Sequence, residues 1–276
     1  MEELCIGGGG LKGIAFLGAL YELDKNDLIT NVKKYSGTSI GGFLCILLII
    51  GYTPKELIDI VFKLEFSNIK DIDVVCILTH MSLMRGDKFK EIVKKTIHEK
   101  ENPDTTLIEL YDKYKKELII TVVCIDTGKL EYISYKSDPS ITIFKLACMT
   151  MCVPLILPPE IYNNKLYADG GILDNLPVKV LCSGTWCITS SIEGNVSETY
   201  DIYDYIIRIT DIVYNNLQDI RLDNYPNVIK IQLKGIKNVD TDEKLMMINK
   251  GREAVREKLN DIENYIKTQK SKDLSD

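Results

Sequence analysis

Short apolar runs and longer runs with apolar residues three and four apart take turns along this chain. Leu4–Ile6 reads as a short strand. Gly13–Asp24 carries Ile14, Leu17, Leu20 and Tyr21 at helical spacing. Val32–Ser36 predicts a second strand and Gly37–Gly42 a tight turn. An apolar helix through Ile50 follows, with Gly51 as its C-terminal cap. Pro54 opens a helix to about Glu65. Asp87–Lys100 is amphipathic, with Phe89, Ile92, Val93 and Ile97 on one face. Glu117–Ile125 is a β-branched strand that turns through Asp126–Lys129 into Leu130–Tyr135 as a hairpin. Ser140–Met149 predicts a helix halted before Pro154, and Lys165–Ala168 a strand ending at Asp169. Trp186–Thr189 and Val228–Leu233 read as further strands. Glu243–Thr268 is a long helix whose apolar spacing breaks at Arg252. It is read as docked on the domain, with residues 271–276 a frayed tail. Strands alternating with helices predict an α/β fold with a mostly parallel sheet, in one domain over residues 4–270.

Composition narrows the function classes. The chain has 276 residues, enough for a full core, with 45% apolar and 27% charged residues, as in soluble globular proteins. A net charge of −6 leaves no basic excess for a dedicated nucleic-acid binder. The longest apolar run, Phe43–Ile50, is too short to span a bilayer, so any membrane contact is expected to be peripheral. Only Met1–Ile6 precede the first glycine loop, so no secretory leader is expected. Eight scattered cysteines, mostly in apolar segments, suit buried thiols in a reducing, cytoplasmic setting. Cys148/Cys152 and Cys182/Cys187 lack zinc spacing and a nearby histidine, and neither a metal nor another cofactor is expected.

Three chemistries compete for the glycine run Gly7–Gly10 and Gly13 between the first strand and helix. Gly8, Gly10 and Gly13 fit a dinucleotide fingerprint, but the second strand carries two lysines and no ribose-binding acid. A phosphate-binding loop would need Gly-Lys followed by Ser or Thr, and the one Gly-Lys pair, Gly128-Lys129, precedes Leu130. The third reading is an oxyanion hole, with N–H groups aimed at an oxygen that becomes negative in acyl transfer. It needs a nucleophile. Gly37–Gly41 supplies one, with Ser39 in G-x-S-x-G between strand and helix.

Serine needs a proton acceptor. Of the two histidines, His98 sits among charged residues on a solvated helix. His80 ends an apolar run and stays open as a base beside a cleft. Asp169, followed by Gly170-Gly171 at a strand end, is the other candidate. It would need burial to be basic enough, and it could equally be a turn residue bonding its own backbone.

These pieces together resemble the patatin-like phospholipase family. Its glycine-rich loop looks like Gly7–Gly13, its G-x-S-x-G like Gly37–Gly41, and its D-G-G like Asp169–Gly171. Further stretches from "GYTPKEL" to "VPLILPPEIYNNKLYADGGILDNLPV" follow the family's order, over residues 4–180. The resemblance implies a three-layer α/β/α fold and a metal-independent lipid acyl hydrolase with a Ser39–Asp169 dyad. It implies oxyanion donors at Gly8, Gly9, Gly10 and Ile40, with Gly37, Gly41, Gly170, Gly171 and Lys12 as motif support. The implied partners are a phospholipid or other acyl-lipid substrate, a membrane surface touched transiently, and an activator of unknown kind. Two departures stand out. Lys12 occupies a position where many members carry Arg, and Lys12 or Arg85 could meet a head-group phosphate. "CMTMCVP" stands where members often show a serine and a small residue. Phe43, Leu44, Met149, Met151 and Leu155 either line an acyl groove or simply fill the core. A transacylase with the same dyad, or a non-catalytic lipid-binding protein, uses the same scaffold.

Overall fold

In the computed structural model the short apolar runs become one eight-stranded sheet. The structure describes residues 1–66, 71–73, 75–182, 184–193, 202–222, 225–234 and 239–273. The strands are β1 (Glu3–Ile6), β2 (Lys34–Thr38), β3 (Glu117–Cys124), β4 (Lys129–Ile133), β5 (Glu160–Tyr162), β6 (Lys165–Asp169), β7 (Trp186–Glu193) and β8 (Val228–Lys234). Their order is β5-β6-β3-β2-β1-β7-β8, with β4 paired to β3. The pairings β3–β2–β1–β7–β8 are parallel, while β4, β5 and β6 join antiparallel, so the sheet is mixed and mostly parallel.

One detail of register governs the rest. β2 and β4 both pair with Ile120 and Thr121 of β3, so they occupy its opposite edges. β6 shares Val122–Cys124 with β4 and therefore lies on the β2 edge, beyond the end of β2. β2 runs parallel to β3 and β6 antiparallel to it, so their C-terminal ends meet. Thr38 pairs with Thr121, and Asp169 pairs with the next residue, Val122.

The helices are α1 (Gly13–Lys25), α2 (Ile40–Ile49), α3 (Pro54–Lys63), α4 (Val75–His80), α5 (Asp87–His98), α6 (Leu107–Tyr114), α7 (Ile143–Met151), α8 (Ile202–Leu222) and α9 (Thr241–Asp273). α2 is buried on nearly every side, as an all-apolar helix must be. α1 packs on α3 and α9. A Cβ on Gly18 would lie 1.9 Å from Ile248 O, and one on Gly251 1.9 Å from Ala15 O, so both glycines are needed for the α1–α9 crossing. Glu22, buried at that crossing, accepts from Arg252 and Arg256, whose guanidinium groups hold its carboxyl below the usual range.

Several expected boundaries shift. The turn expected over Gly37–Gly42 shrinks to Ser39, because β2 is paired on both sides and its ladder carries through Gly37 to Thr38. α7 starts at Ile143, where the Thr142 hydroxyl accepts from Lys145 N–H as a cap. α9 runs to Asp273, so residues 271–273 of the expected tail are helical; residues 274–276 lie outside the described residues. α4, α6, α8 and β5 have no counterpart among the elements read from periodicity.

Candidate active site

Ser39 is the hinge between β2 and α2. Its backbone is left-handed, φ +55° and ψ −131°, a conformation that costs a non-glycine residue about 1–3 kcal/mol. The turn is possible because Gly41 comes next but one. A Cβ there would lie 2.3 Å from both Ile6 O and Gly7 O, backbone that cannot move aside. The strained Ser39 is fastened from below. Its N–H donates to Thr150 Oγ1 at 2.8 Å, and the Thr150 hydroxyl donates to Thr121 O at 2.9 Å. Thr150 belongs to the "CMTMCVP" stretch, so the hydroxyl at that departure from the family pattern holds the backbone of Ser39. Thr150→Val keeps the shape but orphans buried polar groups on both sides, each worth about 1–3 kcal/mol. It is expected to lower the melting midpoint and to cut kcat about 10²-fold through misplacement of Ser39. Thr150→Ser should restore both in thermal melts and ester hydrolysis.

Asp169 ends β6 and is completely buried. Its N–H donates to Cys152 O at 3.1 Å, and its Oδ1 accepts from Gly171 N–H at 2.7 Å. The turn reading was therefore correct for Oδ1. Oδ2 has no hydrogen-bond partner among the described residues. Burial pushes the carboxyl up to about 7, against the downward pull of hydrogen bonding from the Ser39 hydroxyl and of Gly171 N–H. The hydroxyl is close enough for that pull, yet no bond of full geometry is closed to Oδ2. Beneath the pair, the Thr38 and Thr121 hydroxyls share a short hydrogen bond, and Thr38 also donates to Asp174 O at 2.9 Å. Gly170 leaves room for Thr121, whose Oγ1 would be 2.5 Å from a Cβ there.

The glycine loop passes directly over Ser39. A Cβ on Gly8 would sit 3.3 Å from Ser39 Cβ and 2.2 Å from Asn175 Oδ1. The loop is tied down by Gly7 N–H to Ile188 O and Gly8 N–H to Asn175 O, both 2.9 Å. The second bond corrects the expectation that Gly8 supplies an oxyanion donor, because its N–H is already committed. Among the described residues the N–H groups of Gly9, Gly10 and Ile40 donate no hydrogen bond. Lys12 is also committed. It is buried and forms an ion pair with Asp211 at 2.9 Å, so no phosphate contact is open to it in this arrangement. Arg85 pairs with Asp87 on the surface.

Sequence reading missed α8, which roofs the site. Asp211 takes Lys12, and the Tyr214 ring would be 2.5 Å from a Cβ on Gly171. Burial and the neighbouring Asp169 push the Tyr214 hydroxyl well up. Gln218 Oε1 accepts from Asn175 Nδ2 at 3.1 Å and from Thr189 at 2.6 Å, while Asn175 Nδ2 also donates to Gly8 O at 3.2 Å. Asn175 thus links loop, roof and Asp169 turn. Helical spacing at Ile202, Tyr205, Ile209 and Ile212 was the available signal for α8. Both histidines are exposed on helices and neither is hydrogen-bonded to Ser39; His80 Nδ1 meets Thr79 Oγ1. Phe43, Leu44, Met149 and Met151 are core, and Leu155 is exposed. Seven cysteines are buried and Cys182 is exposed. Among the described residues no three His, Cys, Asp or Glu side chains converge as metal ligands, and no helix is long and apolar enough to cross a membrane.

A family model described as patatin-like phospholipase matches residues 4–181. Probable lipid hydrolase 463L of Invertebrate iridescent virus 6 is 26% identical over 265 residues, covering 91% of this chain and 87% of that protein. Uncharacterized protein R571 of Acanthamoeba polyphaga mimivirus is 28% identical over 182 residues, covering 64% of this chain and 60% of that protein. The crystal structure of VipD from Legionella pneumophila aligns with a TM-score of 0.68 at 16% identity, over 94% of this chain and 67% of that one. At that identity the last likeness concerns the fold alone. Matched over most of its length by the family model, the chain belongs to the patatin-like phospholipase family.

Proposed function

We propose that the protein is a serine acyl hydrolase that cleaves fatty acyl esters of phospholipids or related lipids at a membrane surface. The observation that carries this reading is the head-on meeting of β2 and β6 along one edge of β3, which brings the Ser39 elbow to the buried Asp169. Burial answers the objection that a free carboxylate is too weak a base. A pKa raised to about 7 matches the range in which a general base works at neutral pH.

In this mechanism Ser39 Oγ attacks the ester carbonyl carbon and its proton passes to Asp169 Oδ2. The carbonyl oxygen, now negative, is held by the uncommitted N–H groups of Gly9, Gly10 and Ile40. The N-terminus of α2 adds a favourable field at the same point. The tetrahedral intermediate collapses, the C–O bond to the alcohol breaks, and the alcohol leaves with the proton from Asp169. Water then attacks the acyl-Ser39 ester, giving its proton to Asp169, and the fatty acid is released with Ser39 reprotonated.

The test is mass spectrometry of products from mixed phospholipid vesicles, with and without an added acceptor lipid, beside labelling by a serine-reactive fluorophosphonate. Free fatty acid, a lysophospholipid and label on Ser39 are expected. Acyl transfer to the acceptor in place of release would make the protein a transacylase. Absence of both product and label would make it a binding module.

A further inference from the structure

Most of the large apolar side chains left exposed among the described residues fall in two stretches. The first is α4 and the ribbon beside it, with Val75, Leu78 and Met81, and Leu155 across the bridge from Ser82. Leu78 is 89% exposed. The second is the outer side of α8, where Ile202, Tyr205, Ile209 and Ile212 recur three and four apart. The two are neighbours. Tyr203, Ile206 and Ile207 of α8 pack on the cluster of Leu83, Met84 and Ile156, the ribbon whose edge carries Met81 and Leu155. These contacts set the two exposed apolar stretches beside each other on the surface.

Three observations identify what this face meets. An open apolar cavity of about 200 Å³, lined by Met81, Ile125, Leu155, Leu157, Leu166 and Ala168, lies within it. Cys152 also lines this cavity, and its carbonyl accepts the Asp169 N–H, so the cavity reaches the backbone at the end of β6 that carries Asp169. Second, Met81 and Leu155 both have left-handed backbones, φ +58° and +65°. Bulky residues are seldom held so, and here the strain keeps two apolar side chains at the cavity mouth rather than in the core. Third, the charges on segments 71–87 and 202–213 are Asp71, Asp73, Asp87, Asp204 and Asp211 against Arg85 and Arg208, with Asp211 spent on Lys12. That balance gives no attraction to an anionic surface and suits an electrically neutral one.

We propose that this face seats the protein on a zwitterionic phospholipid bilayer, with α4, Leu155 and the outer side of α8 at the boundary between head groups and acyl chains. The proposal rests on the reading of Ser39 and Asp169 as a lipid acyl hydrolase and names the surface by which that site meets its substrate. The helix that roofs the site is then the helix that touches the bilayer. Binding comes from burial of apolar side chains and depends little on ionic strength.

The experiment is flotation of the full chain with phosphatidylcholine vesicles at about 0.05 and about 0.5 M salt. Beside it runs the double variant Leu78→Glu/Ile209→Glu, both positions being exposed and outside the site. The wild type should float at both salt levels, and the variant should bind at least ~30-fold more weakly. Hydrolysis of vesicle lipid should fall in parallel, while turnover of a short-chain, water-soluble ester stays unchanged. Wild type left in the bottom fraction, a variant that floats equally, or binding confined to phosphatidylserine vesicles at low salt would each overturn the proposal. So would a wild-type dimer that the variant converts to monomer, which would make the face a contact between copies. Flotation is read without turnover, so loss of the hydrolase reading would show separately, as vesicle binding with no ester cleavage.

Discussion

Ser39→Ala is expected to lower kcat/KM for acyl esters by about 10⁴–10⁶-fold and to leave the fold intact. The loss is this large because the threonine hydroxyls nearest Ser39 among the described residues are already committed. The Thr150 hydroxyl is tied to Ser39 N–H and Thr121 O, and the Thr38 hydroxyl to Thr121 and Asp174 O. Removing the hydroxyl also removes its downward pull on Asp169. Ser39→Gly should be equally inactive but more stable than the alanine variant. Glycine adopts φ +55° freely, whereas serine and alanine carry the strain of the elbow. After the entropic cost of glycine the net gain is about 1 kcal/mol, or roughly 2–4 °C in the melting midpoint. Initial rates on a short-chain ester and thermal melts of the three proteins check both halves. A tenth of wild-type activity surviving in Ser39→Ala would dismiss Ser39 as nucleophile, and equal midpoints for the two variants would dismiss the strain.

What the sequence could announce was whatever local chemistry demanded. Gly41 is required by a carbonyl pair that any Cβ would strike, so the G-x-S-x-G spacing is a local consequence of the turn and was legible. Asp169 was legible as a strand end beside two glycines. Its burial was not, because that depends on β6 arriving at β3 from the opposite direction to β2. Gly8 misled for a related reason. The run of glycines signals donors near a negative charge, but which N–H is left over is decided by Asn175, distant in sequence. Lys12 and Asp211 are 199 residues apart, so no spacing argument could join them. The roof, α8, was obscured by its own chemistry. Its packed side changes character along the helix, with Tyr203, Ile206 and Ile207 on an apolar cluster and then Asp211, Tyr214 and Gln218 over the site, while Ile202, Tyr205, Ile209 and Ile212 stay exposed, so no single apolar stripe marks the buried side.

The pH dependence separates Asp169 from every alternative base. Burial pushes its carboxyl up to about 7, so below that pH it holds a proton and cannot accept one from Ser39. The expected kcat/KM profile therefore falls about tenfold per pH unit below 7 and is level above it. Asp169→Asn can still accept from Gly171 N–H but takes no proton, and should lose about 10⁴-fold with a residual rate that does not titrate. A histidine base would give a limb in the same range, so His80→Asn is the control, and it should leave the limb in place. Stability supplies an independent reading of the same group. The unfolded carboxyl titrates near 3.9, so between about pH 4 and 7 the native state holds a proton that the unfolded chain has released. Stability contributed by that proton is complete below about pH 4 and is lost as pH rises through about 7. The Asp169→Asn protein, free of this linkage, should gain on the wild type across that window and hold its advantage above it. A rate profile titrating near pH 4, or a melting difference that does not change with pH, would mean that the carboxyl beside Ser39 is an ordinary solvated acid and that the proton leaves Ser39 by another route.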